Sequence, residues 1–489
     1  MCGVSKMMRF KKVALIMPPF DGENSDNRGL LLGVAYISQY LLDNNIPNKV
    51  FDMRLGYTTK ELKTWLDEYK PDIVSMPVFT NRFKYTYDLI KEIKSDKYKI
   101  LLGGYHVSTI KAKIMEEVPE ADYAIKLEGE EPMFELCIGK DLDKIYNLIY
   151  RKNGKIIENI TRPPITNLDK FNFPHYESFE FEKYDQLLPI CSSRGCPHFC
   201  TFCTTSVCTG RSWRVRSSQN VIEEMKYWYE RGHRKFMFID DNFTLLKNRV
   251  MELCDLIEKN KLNGLQMRCA GIRADRVDRE VLTRMKEVGF NHIGIGVEVG
   301  NDKMFKIIRK GERKKDIEKA LKLITELEYD VQLYFVIGNQ YETETDVEDS
   351  FALALKYPVS DAHFYNPLPF PGSELYDFVT TNGYFLEDFN DYINNFDHYA
   401  TKPVFATPEL SAEDRTRLLL KSRKIQKQIL RNYYVRKMKP SFGILATPIA
   451  YLVSFDLIRN VIISFFKLPV GKSIIRYLMD IFKIDIRFI

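Results

Sequence analysis

Two series of alternating elements appear in the pattern of apolar and polar positions along the chain. From Lys12 to Leu136, short apolar runs such as VALIMPP and KILLGG alternate with amphipathic stretches such as KELKTWLDEY and KYTYDLIKEI. Continuous apolar runs are typical of parallel strands that helices cover on both faces. The pattern predicts an α/β fold that begins with a Rossmann-like (flavodoxin-like), doubly wound domain, whose ligand site lies at the carboxyl ends of its five strands.

The second series has the same alternation and contains six apolar runs, from LLPICSS to DAHFYNPLP. Right-handed crossovers between them predict a partial TIM-like (β/α)6 barrel, with its chemistry on the loops at the carboxyl ends of the strands. Between the two series, Asn153-Gly154 separates two alternating runs and predicts a β-hairpin. We therefore expect four regions, which are a doubly wound domain (10–140), a hairpin and linker (141–186), a barrel (187–385) and a C-terminal helical extension (386–489).

Composition and charge exclude several classes of protein. A chain of 489 residues with 45% hydrophobic residues can bury two or three cores. Five of the nine cysteines lie between Cys191 and Cys208, unlike a secreted disulfide framework, and the N-terminal apolar run is too short for a signal peptide. We expect a cytoplasmic protein. The region from Arg431 to Ile489 holds ten Lys or Arg and three Asp, and a basic patch confined to one terminus does not predict nucleic-acid binding.

The segment CSSRGCPHFCTFC carries the clearest chemical signal. Cys196, Cys200 and Cys203 are separated by three and then two residues, in a loop directly after a predicted barrel strand. Cysteine thiolates hold four-iron clusters, and three ligands from one loop leave the fourth iron free for a small molecule. The triplet therefore predicts an iron–sulfur cluster with one open iron.

A zinc site is the alternative for these cysteines. Zinc usually takes four ligands, and Cys191, Cys208 or His198 could supply the fourth. The predicted position on the catalytic face of a barrel favours the cluster. A fourth thiolate would close the open iron, so we expect Cys191 and Cys208 not to bind it and Cys191 to pack at the strand end. The remaining cysteines are expected at core or surface positions, and they are Cys2, Cys137, Cys254 and Cys269.

RGCPHFCTFC resembles the radical S-adenosylmethionine (radical SAM) superfamily. Further motifs follow in the order of that family, namely FIDDNF, RCAGIRAD, GIGVEVGND, FVIGNQYETETD and PLPFPGSELY. The resemblance spans roughly Leu188 to Tyr376 and implies a 4Fe–4S cluster that cleaves S-adenosylmethionine to a 5′-deoxyadenosyl radical. It implies six residues that bind S-adenosylmethionine: Phe202, Asp240, Asp241, Arg273, Glu298 and Gly338.

The resemblance also implies roles for five of these residues. Phe202 and Gly338 would lie near the adenine, where a glycine allows close approach of the backbone. Asp240 and Asp241 would lie beside the methionyl amino group, which suits a carboxylate. Glu298 would meet the ribose or the methionyl part, its alternative being a surface salt bridge. The chain departs from the family at Gln340-Tyr341, where Pro-Gly is common.

A doubly wound domain ahead of such a barrel resembles the cobalamin-binding subclass of the family. The segments LLGGYHVS and LEGEEPMFEL are similar to recurrent loops of that subclass. The resemblance implies contacts to cobalamin from Ser75, Gly103, Gly104, Gly129 and Glu130.

The usual cobalt-binding histidine is missing from this domain. Methylcobalamin domains often carry Asp-x-His-x-x-Gly in the first βα loop, which here reads FDGENSDNRG, with Asp21 and Glu23, and no histidine precedes His106. Either cobalamin binds without a protein histidine, or a degenerate domain only shapes the substrate cavity. The retained Gly-Gly and Gly-Glu-Glu loops favour cobalamin.

The C-terminal region resembles the helical extension of anaerobic cyclase-like members. Ser411, with Glu413 and Asp414 after it, predicts the start of a helix. FGILATPIAYLVSF has about 14 uncharged residues and is too short to span a bilayer. Beyond it, charged residues interrupt apolar runs, which indicates either a helical subdomain packed on the barrel or peripheral contact with an anionic membrane, suited to an amphiphilic substrate. These charged residues are Asp456, Arg459, Lys467, Lys472, Arg476 and Lys483.

Together the resemblances imply cobalamin-dependent methylation of an unactivated carbon in a small molecule, with a reductant such as flavodoxin or ferredoxin as partner. Alternatives are oxidative ring formation, as in anaerobic porphyrin-ester cyclases, radical chemistry without cobalamin, and a non-catalytic cobalamin or iron–sulfur sensor. Tyr334, His363, Tyr365 and Phe370 are candidates to line the substrate cavity. His363 is either a general base or a hydrogen-bonded core histidine.

Overall fold

The computed structural model describes residues 8–19, 29–395 and 400–454. The chain divides into two compact units. The first unit is drawn from the ranges Met1–Gly271, Glu287–Phe290 and Leu368–Asp397, and the second from Ile272–Lys286, Asn291–Pro367 and His398–Ile489. The first loop, with Asp21 and Glu23, and the charged tail after residue 454 lie outside the described residues, as does Cys2. The predicted boundaries of the four regions stay a prediction.

The first series of elements alternates strands and helices as predicted and ends in a hairpin. Its members are β1 (Val13–Met17), α1 (Leu32–Asp43), β2 (Asn48–Asp52), α2 (Thr59–Tyr69), β3 (Ile73–Pro77), α3 (Phe83–Ile93), β4 (Lys99–Gly103), α4 (Tyr105–Ile110), α5 (Lys113–Glu117), β5 (Tyr123–Ile125), α6 (Glu130–Cys137), β6 (Leu148–Lys152) and β7 (Lys155–Glu158).

The second series continues the alternation, and all six predicted strands are present. Its elements are β8 (Leu188–Ile190), β9 (Ser193–Arg194), α7 (Thr205–Cys208), β10 (Arg214–Val215), α8 (Ser218–Glu230), β11 (Lys235–Phe238), α9 (Lys247–Lys259), β12 (Gln266–Ile272), α10 (Arg279–Glu287), β13 (Phe290–Glu298), α11 (Asp302–Ile307), α12 (Lys314–Glu326), β14 (Asp330–Val336), α13 (Glu344–Lys356) and β15 (Asp361–Tyr365). Four further helices follow, α14 (Glu374–Thr381), α15 (Phe389–Asn394), α16 (Ala412–Phe442) and α17 (Ala446–Val453).

The first sheet has the strand order β2-β1-β3-β4-β5-β6-β7. Strands β1 to β5 pair in parallel in the flavodoxin-like order, which confirms the predicted fold class. Every residue of β1 is buried, because strands flank it on both sides and helices cover its faces. The carboxyl ends of β3 and β4 carry Pro77 and Gly103 side by side, at the edge where this fold binds ligands.

The predicted hairpin forms at Asn153-Gly154 and extends the first sheet. Both turn residues have positive φ, 52° and 76°, which the tight turn of a two-residue hairpin requires. Lys152 pairs with Lys155 across the turn, and β6 pairs antiparallel with β5. The hairpin therefore adds two antiparallel strands to the parallel sheet, which the sequence pattern had not placed there.

Strands β8, β11 and β12 of the first unit pair in parallel, with β11 in the middle. Phe236 and Phe238 on β11 are fully buried, and the polar residues Asp240 and Asp241 follow directly after this apolar run. Two carboxylates therefore stand directly beyond the carboxyl end of this strand, where the sequence analysis expects the chemistry.

Strands β13, β14 and β15 of the second unit also pair in parallel, with β14 in the middle. Helix α16 packs against β15 and against α13, so that it covers the side of β15 that has no strand partner among the described residues. Ser411 accepts a hydrogen bond from the amide of Asp414 at 3.1 Å and caps α16, which confirms the predicted helix start. No helix in the described part of the chain is long and apolar enough to cross a membrane.

Candidate active site

The cysteine triplet lies on a loop of residues 195–213 whose neck is closed by two short strands. Strands β9 and β10 pair antiparallel, with Arg194 opposite Arg214. Gly195 has a φ of 88°, and a Cβ at this position would collide with the carbonyl oxygen of Ser212. The glycine of the RGC motif is therefore required by the returning strand of the loop.

The three thiols of the triplet are partly exposed, as expected of residues that meet a ligand. The Cys203 amide donates to the carbonyl oxygen of Cys200 at 3.2 Å, and the Thr205 amide donates to the Cys203 sulfur at 3.4 Å. Over the described ranges, no group of three His, Cys, Asp or Glu side chains is arranged closely enough to hold a metal ion. The donor chemistry still fits a cluster, because three thiols stand on one partly exposed loop without a carboxylate between them. The three ligands stay a prediction from spacing and position.

The other described cysteines are buried or tied to the backbone. Cys191 follows β8 directly and donates to the carbonyl oxygen of Ser193 at 3.2 Å. Burial raises the pKa of the Cys191 and Cys208 thiols to about 12. That neither of them binds a cluster stays a prediction. The fully buried thiols, which fill the core, are Cys137, Cys254 and Cys269.

Asp240 fastens the start of the cysteine loop. Its carboxylate accepts hydrogen bonds from the amide and hydroxyl of Ser192, at 3.2 and 2.7 Å, and from the hydroxyl of Ser193. Burial raises the pKa of Asp240, and these hydrogen bonds oppose the shift. Asp241 is exposed and accepts a hydrogen bond from the backbone of Gly195. Of the two acids, Asp241 is the one that a ligand can reach.

The six residues implied to bind S-adenosylmethionine divide between the two units. Phe202, half-buried in the cysteine loop, belongs to the first unit with Asp240 and Asp241, and the other three belong to the second. In the second unit, Arg273 is buried, holds Asp275 at 3.0 Å and donates to the carbonyl oxygen of Lys310 at 2.9 Å. Arg273 therefore orders its own loop.

Glu298, the last residue of β13, has a strained backbone conformation. Its φ is 71°, and the strand register shifts between Gly296 and Glu298, as in a β-bulge. Its carboxylate lies 3.3 Å from the ammonium of Lys310 and folds back over Gly296, where a Cβ would collide with it. A strained residue on a bulge at a strand end is typical of functional sites. The surroundings thus support a role in binding for Glu298.

Lys310 links two of the three predicted residues of this unit, Arg273 and Glu298. Besides Glu298 and the backbone contact from Arg273, it lies 3.5 Å from Glu312, which is buried and accepts a hydrogen bond from the amide of Ala274 at 2.7 Å. The sequence analysis missed Lys310 and Glu312. The signal was weak, because RKGE carries charges of the kind that solvated loops usually show.

Gly338 is surrounded differently from what the resemblance implied. Its φ is 110°, and a Cβ here would collide with the guanidinium of Arg415. The amides of Gly338 and Asn339 donate to the buried carboxylate of Glu342. The guanidinium of Arg415, on α16, occupies the space beside this glycine. Contact between Gly338 and adenine stays a prediction.

The residues predicted to bind cobalamin all belong to the first unit. Ser75 is half-buried on β3 and pairs with Leu101, and Gly103 ends β4. Gly104 has a φ of 91°, and a Cβ there would lie 2.9 Å from the carbonyl oxygen of Val78, so the neighbouring strand end requires this glycine. A Cβ on Gly103 would meet only the carbonyl oxygen of Ile125, at 3.8 Å. Gly103 is therefore the position where the backbone is open to a flat ligand such as a corrin.

Gly129 and Glu130 begin α6, and Glu130 already has a partner. A Cβ on Gly129 would lie 3.0 Å from the Ile37 side chain. Glu130 is buried, and its carboxylate lies 2.8 Å from the guanidinium of Arg194 at the neck of the cysteine loop. Sequence reasoning missed Arg194, although its place beside Gly195 and Cys196 was a usable signal.

His106, the first histidine in the sequence, packs inside the first unit. His106 is buried, stacks on Phe83 at 4.6 Å between ring centroids and contacts the Tyr87 hydroxyl at 3.1 Å. Burial lowers the pKa of His106 to about 3. It is therefore a neutral core histidine, and the binding of cobalamin without a protein histidine stays a prediction.

His363 is hydrogen-bonded on both ring nitrogens. Its Nε2 lies 3.2 Å from the Asp361 carboxylate, and its Nδ1 lies 3.2 Å from the amide nitrogen of Gln426 on α16. The rings of Tyr334 and Tyr365 stack beside it at 5.5 and 6.1 Å. Burial lowers the pKa of His363, with Asp361 opposing the shift. These contacts favour a structural histidine, and Phe370, half-buried before α14, belongs to the other unit.

Comparison with known families identifies the class of this protein. Residues 190–354 match the model of the radical SAM superfamily, and residues 22–136 match the model of the B12-binding domain. The chain is a radical SAM enzyme that carries an N-terminal B12-binding domain. The two domains assign its cofactors, which are a 4Fe–4S cluster, S-adenosylmethionine and cobalamin. Radical SAM enzymes act on small-molecule substrates and need an external reductant.

Relatives of known name include methyltransferases and cyclases. The chain is 28% identical over 431 residues to an uncharacterized methyltransferase of Pyrococcus horikoshii, across 85% of this chain and 92% of that protein. It is 24% identical to an anaerobic magnesium-protoporphyrin IX monomethyl ester cyclase of Rubrivivax gelatinosus, across 79% of this chain and 71% of that protein. Both kinds of chemistry weighed from the sequence are thus represented among its relatives.

Two solved structures share the fold. One is the cobalamin-dependent S-adenosylmethionine radical enzyme OxsB with aqua-cobalamin and S-adenosylmethionine bound, which has a TM-score of 0.72 at 16% identity and covers 97% of this chain and 75% of that one. The other is the radical S-adenosylmethionine methyltransferase TsrM from Kitasatospora setae, which has a TM-score of 0.61 at 18% identity and covers 72% of this chain and 74% of that one. These likenesses show the architecture and leave the substrate open.

Proposed function

We propose that this enzyme methylates an unactivated carbon of a small-molecule substrate. The observation that supports the proposal best lies within the first unit, where α4, which begins after the Gly103-Gly104 turn, packs against α7, which follows the cysteine triplet inside the cysteine loop. Thr109 of α4 also hydrogen-bonds to the Cys208 thiol of α7. Two loops that are predicted to serve separate cofactors therefore lie next to each other, which suits one reaction that uses both.

The cofactors would supply a radical that removes hydrogen from the substrate and a methyl group that replaces it. The chain would contribute the geometry. Cys196, Cys200 and Cys203 would hold the cluster, the accessible Asp241 would bind the methionyl ammonium, and the open backbone at Gly103 would admit the corrin. For each methylated product, two S-adenosylmethionine molecules and two electrons from the reductant would be consumed, and one 5′-deoxyadenosine, one methionine and one S-adenosylhomocysteine would be released.

The first test does not need the substrate. Reconstituted protein with dithionite and S-adenosylmethionine is expected to release 5′-deoxyadenosine, and Cys200→Ala is expected to abolish the release. Cys208→Ala is the matched control and should retain it, because this thiol is buried and protonated. Failure of the wild-type protein to form deoxyadenosine would favour a sensor without turnover.

The second test separates methylation from ring formation. With methyl-labelled S-adenosylmethionine and candidate substrates, methylation predicts label in the product and equal amounts of 5′-deoxyadenosine and S-adenosylhomocysteine. Ring formation predicts deoxyadenosine with an unlabelled, oxidised product. The cyclase among the relatives is the observation that keeps this second reaction in view.

Peripheral membrane contact by the C-terminal region is proposed as well. Exposed apolar side chains on and before α17, including Ile444 and Leu445 at 92% and 58% exposure, support it, as do the exposed Tyr451 and Leu452. In flotation with anionic vesicles, the full chain is expected in the vesicle fraction, and the double variant Ile444→Ser/Leu445→Ser is expected there in a smaller amount. A truncation after Ser454 measures how much the residues beyond it contribute to vesicle binding. Equal recovery of all three in the soluble fraction would reject membrane contact.

A further inference from the structure

The loop between β5 and α6 meets the neck of the cysteine loop through charges. Glu128 accepts hydrogen bonds from Arg194 at 3.0 Å and from Arg214 at 2.9 Å to each carboxylate oxygen. Glu130, two residues on, pairs with the second terminal nitrogen of Arg194 at 2.8 Å. Two acids of the B12-binding domain therefore hold both arginines.

The two arginines stand at equivalent places on the two strands of the neck. Arg194 lies on β9 and Arg214 on β10, directly opposite each other in the antiparallel pair. The loop between them carries all three cysteines of the triplet. The Glu128 carboxylate therefore bridges the two strands at the base of the loop that is predicted to carry the cluster.

Arg214 also orders the loop that it terminates. Its guanidinium donates to the carbonyl oxygens of Thr209 and Ile165, each at 3.0 Å. Arg194 lies over the rings of Tyr36 and Phe171, at 5.0 and 5.6 Å from the ring centroids. Every one of these partners would be lost or shifted if the neck opened.

Burial makes these contacts strong. The Arg214 side chain is 3% exposed, and those of Arg194 and Glu128 are 15% and 17% exposed. A buried charge that loses its partner is strongly disfavoured, so that the acids and arginines depend on each other for their positions. A surface ion pair of the same geometry would exert little control.

We propose that Glu128 and Glu130 are positioning residues for the cysteine loop, which they hold through Arg194 and Arg214, and that they do not contact cobalamin. The inference rests on the proposed function in that the loop must carry the cluster. It gives the acidic LEGEE segment a purpose other than cofactor binding and ties the geometry of the thiols to the B12-binding domain.

The test compares Glu128→Gln with Glu131→Gln in the reconstituted full-length protein. Glu131 is the matched control, because it belongs to the same acidic segment, in the first turn of α6, but pairs with Arg162 and Lys170 outside the neck. Three quantities are measured for each, which are the rate of iron loss from the cluster to a ferrous chelator, the electron paramagnetic resonance spectrum of the reduced cluster with and without S-adenosylmethionine, and the affinity for hydroxocobalamin by absorbance.

Glu128→Gln is expected to speed iron loss roughly tenfold, since residues that orient metal ligands typically change metal affinity by that factor. Its spectral response to S-adenosylmethionine should change, while cobalamin affinity stays at the wild-type value. Glu131→Gln should match the wild type in all three. The double variant Glu128→Gln/Arg214→Gln should change the rate of iron loss by less than the product of the changes in the two single variants, because both substitutions remove the interaction that Glu128 and Arg214 share.

Three outcomes would overturn the inference. They are cluster behaviour of Glu128→Gln identical to that of the control, additive effects in the double variant, and a loss of cobalamin affinity with an unchanged cluster, which would make Glu128 a cofactor contact. A wild-type protein that assembles no cluster would instead refute the proposed function itself. Arg194→Lys guards against misfolding, since it keeps the charge and should show an intermediate rate of iron loss.

Discussion

Glycines at the turns of this chain differ in what surrounds them. Neighbouring backbone atoms leave no room for a side chain at Gly104 and Gly195, and the guanidinium of Arg415 leaves none at Gly338. Gly103 has no such neighbour and leaves its backbone open. A motif glycine therefore indicates close approach, but its surroundings decide whether a ligand or the protein itself approaches.

The titration of a single residue, Glu342, makes the free energy of unfolding depend on pH. Burial raises its pKa from 4.5 to about 7, with hydrogen bonds from the Gly338 and Asn339 amides opposing the shift. The folded state therefore holds this proton more tightly than the unfolded state does. Stability contributed by the protonated form is complete below pH 4.5 and is lost as pH rises to about 7, by about 3 kcal/mol in total.

Removing the carboxylate should remove this dependence. Between pH 5 and 7.5, the free energy of unfolding of Glu342→Gln is expected to fall less than that of the wild type, as measured by urea denaturation at several pH values. Glu344→Gln is the control, because Glu344 is exposed and its pKa is lowered by Arg417, outside this window. Parallel pH profiles of wild type and Glu342→Gln would contradict the assignment.

Helix α16 is held to the second unit by one buried arginine near its start. Arg415 is 1% exposed and donates to the carbonyl oxygens of Ile337, Gly338 and Phe405 at distances of 2.7 to 3.2 Å. It lies 4.1 Å from the ring centroid of Phe405. The extension is therefore attached at the carboxyl end of β14, where the chemistry of such a fold is found.

Arg415→Met is expected to destabilise the protein by about 3 to 5 kcal/mol, because it leaves three buried carbonyl groups without their donor and removes the positive charge that acts on the buried Glu342. Arg417→Met, two residues further along α16, removes exposed ion pairs with Glu344 and Asp414 and should change stability little. Urea denaturation of both variants measures the difference. Equal midpoints would show that α16 is held mainly by its apolar contacts.

At the scale of the whole molecule, cobalamin binding should raise the free energy of unfolding. Hydroxocobalamin at a free concentration of 100 times its Kd is expected to raise the free energy of unfolding by about 2.7 kcal/mol. Gly103→Ala should fold normally, since the added methyl group meets only Ile125 at 3.8 Å, yet bind the cofactor roughly tenfold more weakly. Thermal melts with and without cofactor measure both effects. An unchanged cofactor shift in Gly103→Ala would place the corrin elsewhere.

Much of the architecture could be predicted from local patterns. The flavodoxin-like strand order, the Asn153-Gly154 hairpin and the cap at Ser411 are all confirmed, because each depends on a short stretch of sequence and on general rules of chain connection. The partners of charged side chains could not be predicted. Arg214 and Glu128 lie 86 residues apart, and nothing in either segment names the other.

The sequence by itself determined the class of this enzyme. Two local properties of the chain indicate this class, namely the spacing of Cys196, Cys200 and Cys203 and the alternation in the two βα series. Neither depends on which distant segments pack together. Only the tertiary structure decided which acids remain accessible to a ligand and which are engaged by arginines. Whether a carboxylate contacts a ligand or another side chain depends on what long-range packing brings within about 3 Å of it, and that distance is not a property of any one segment.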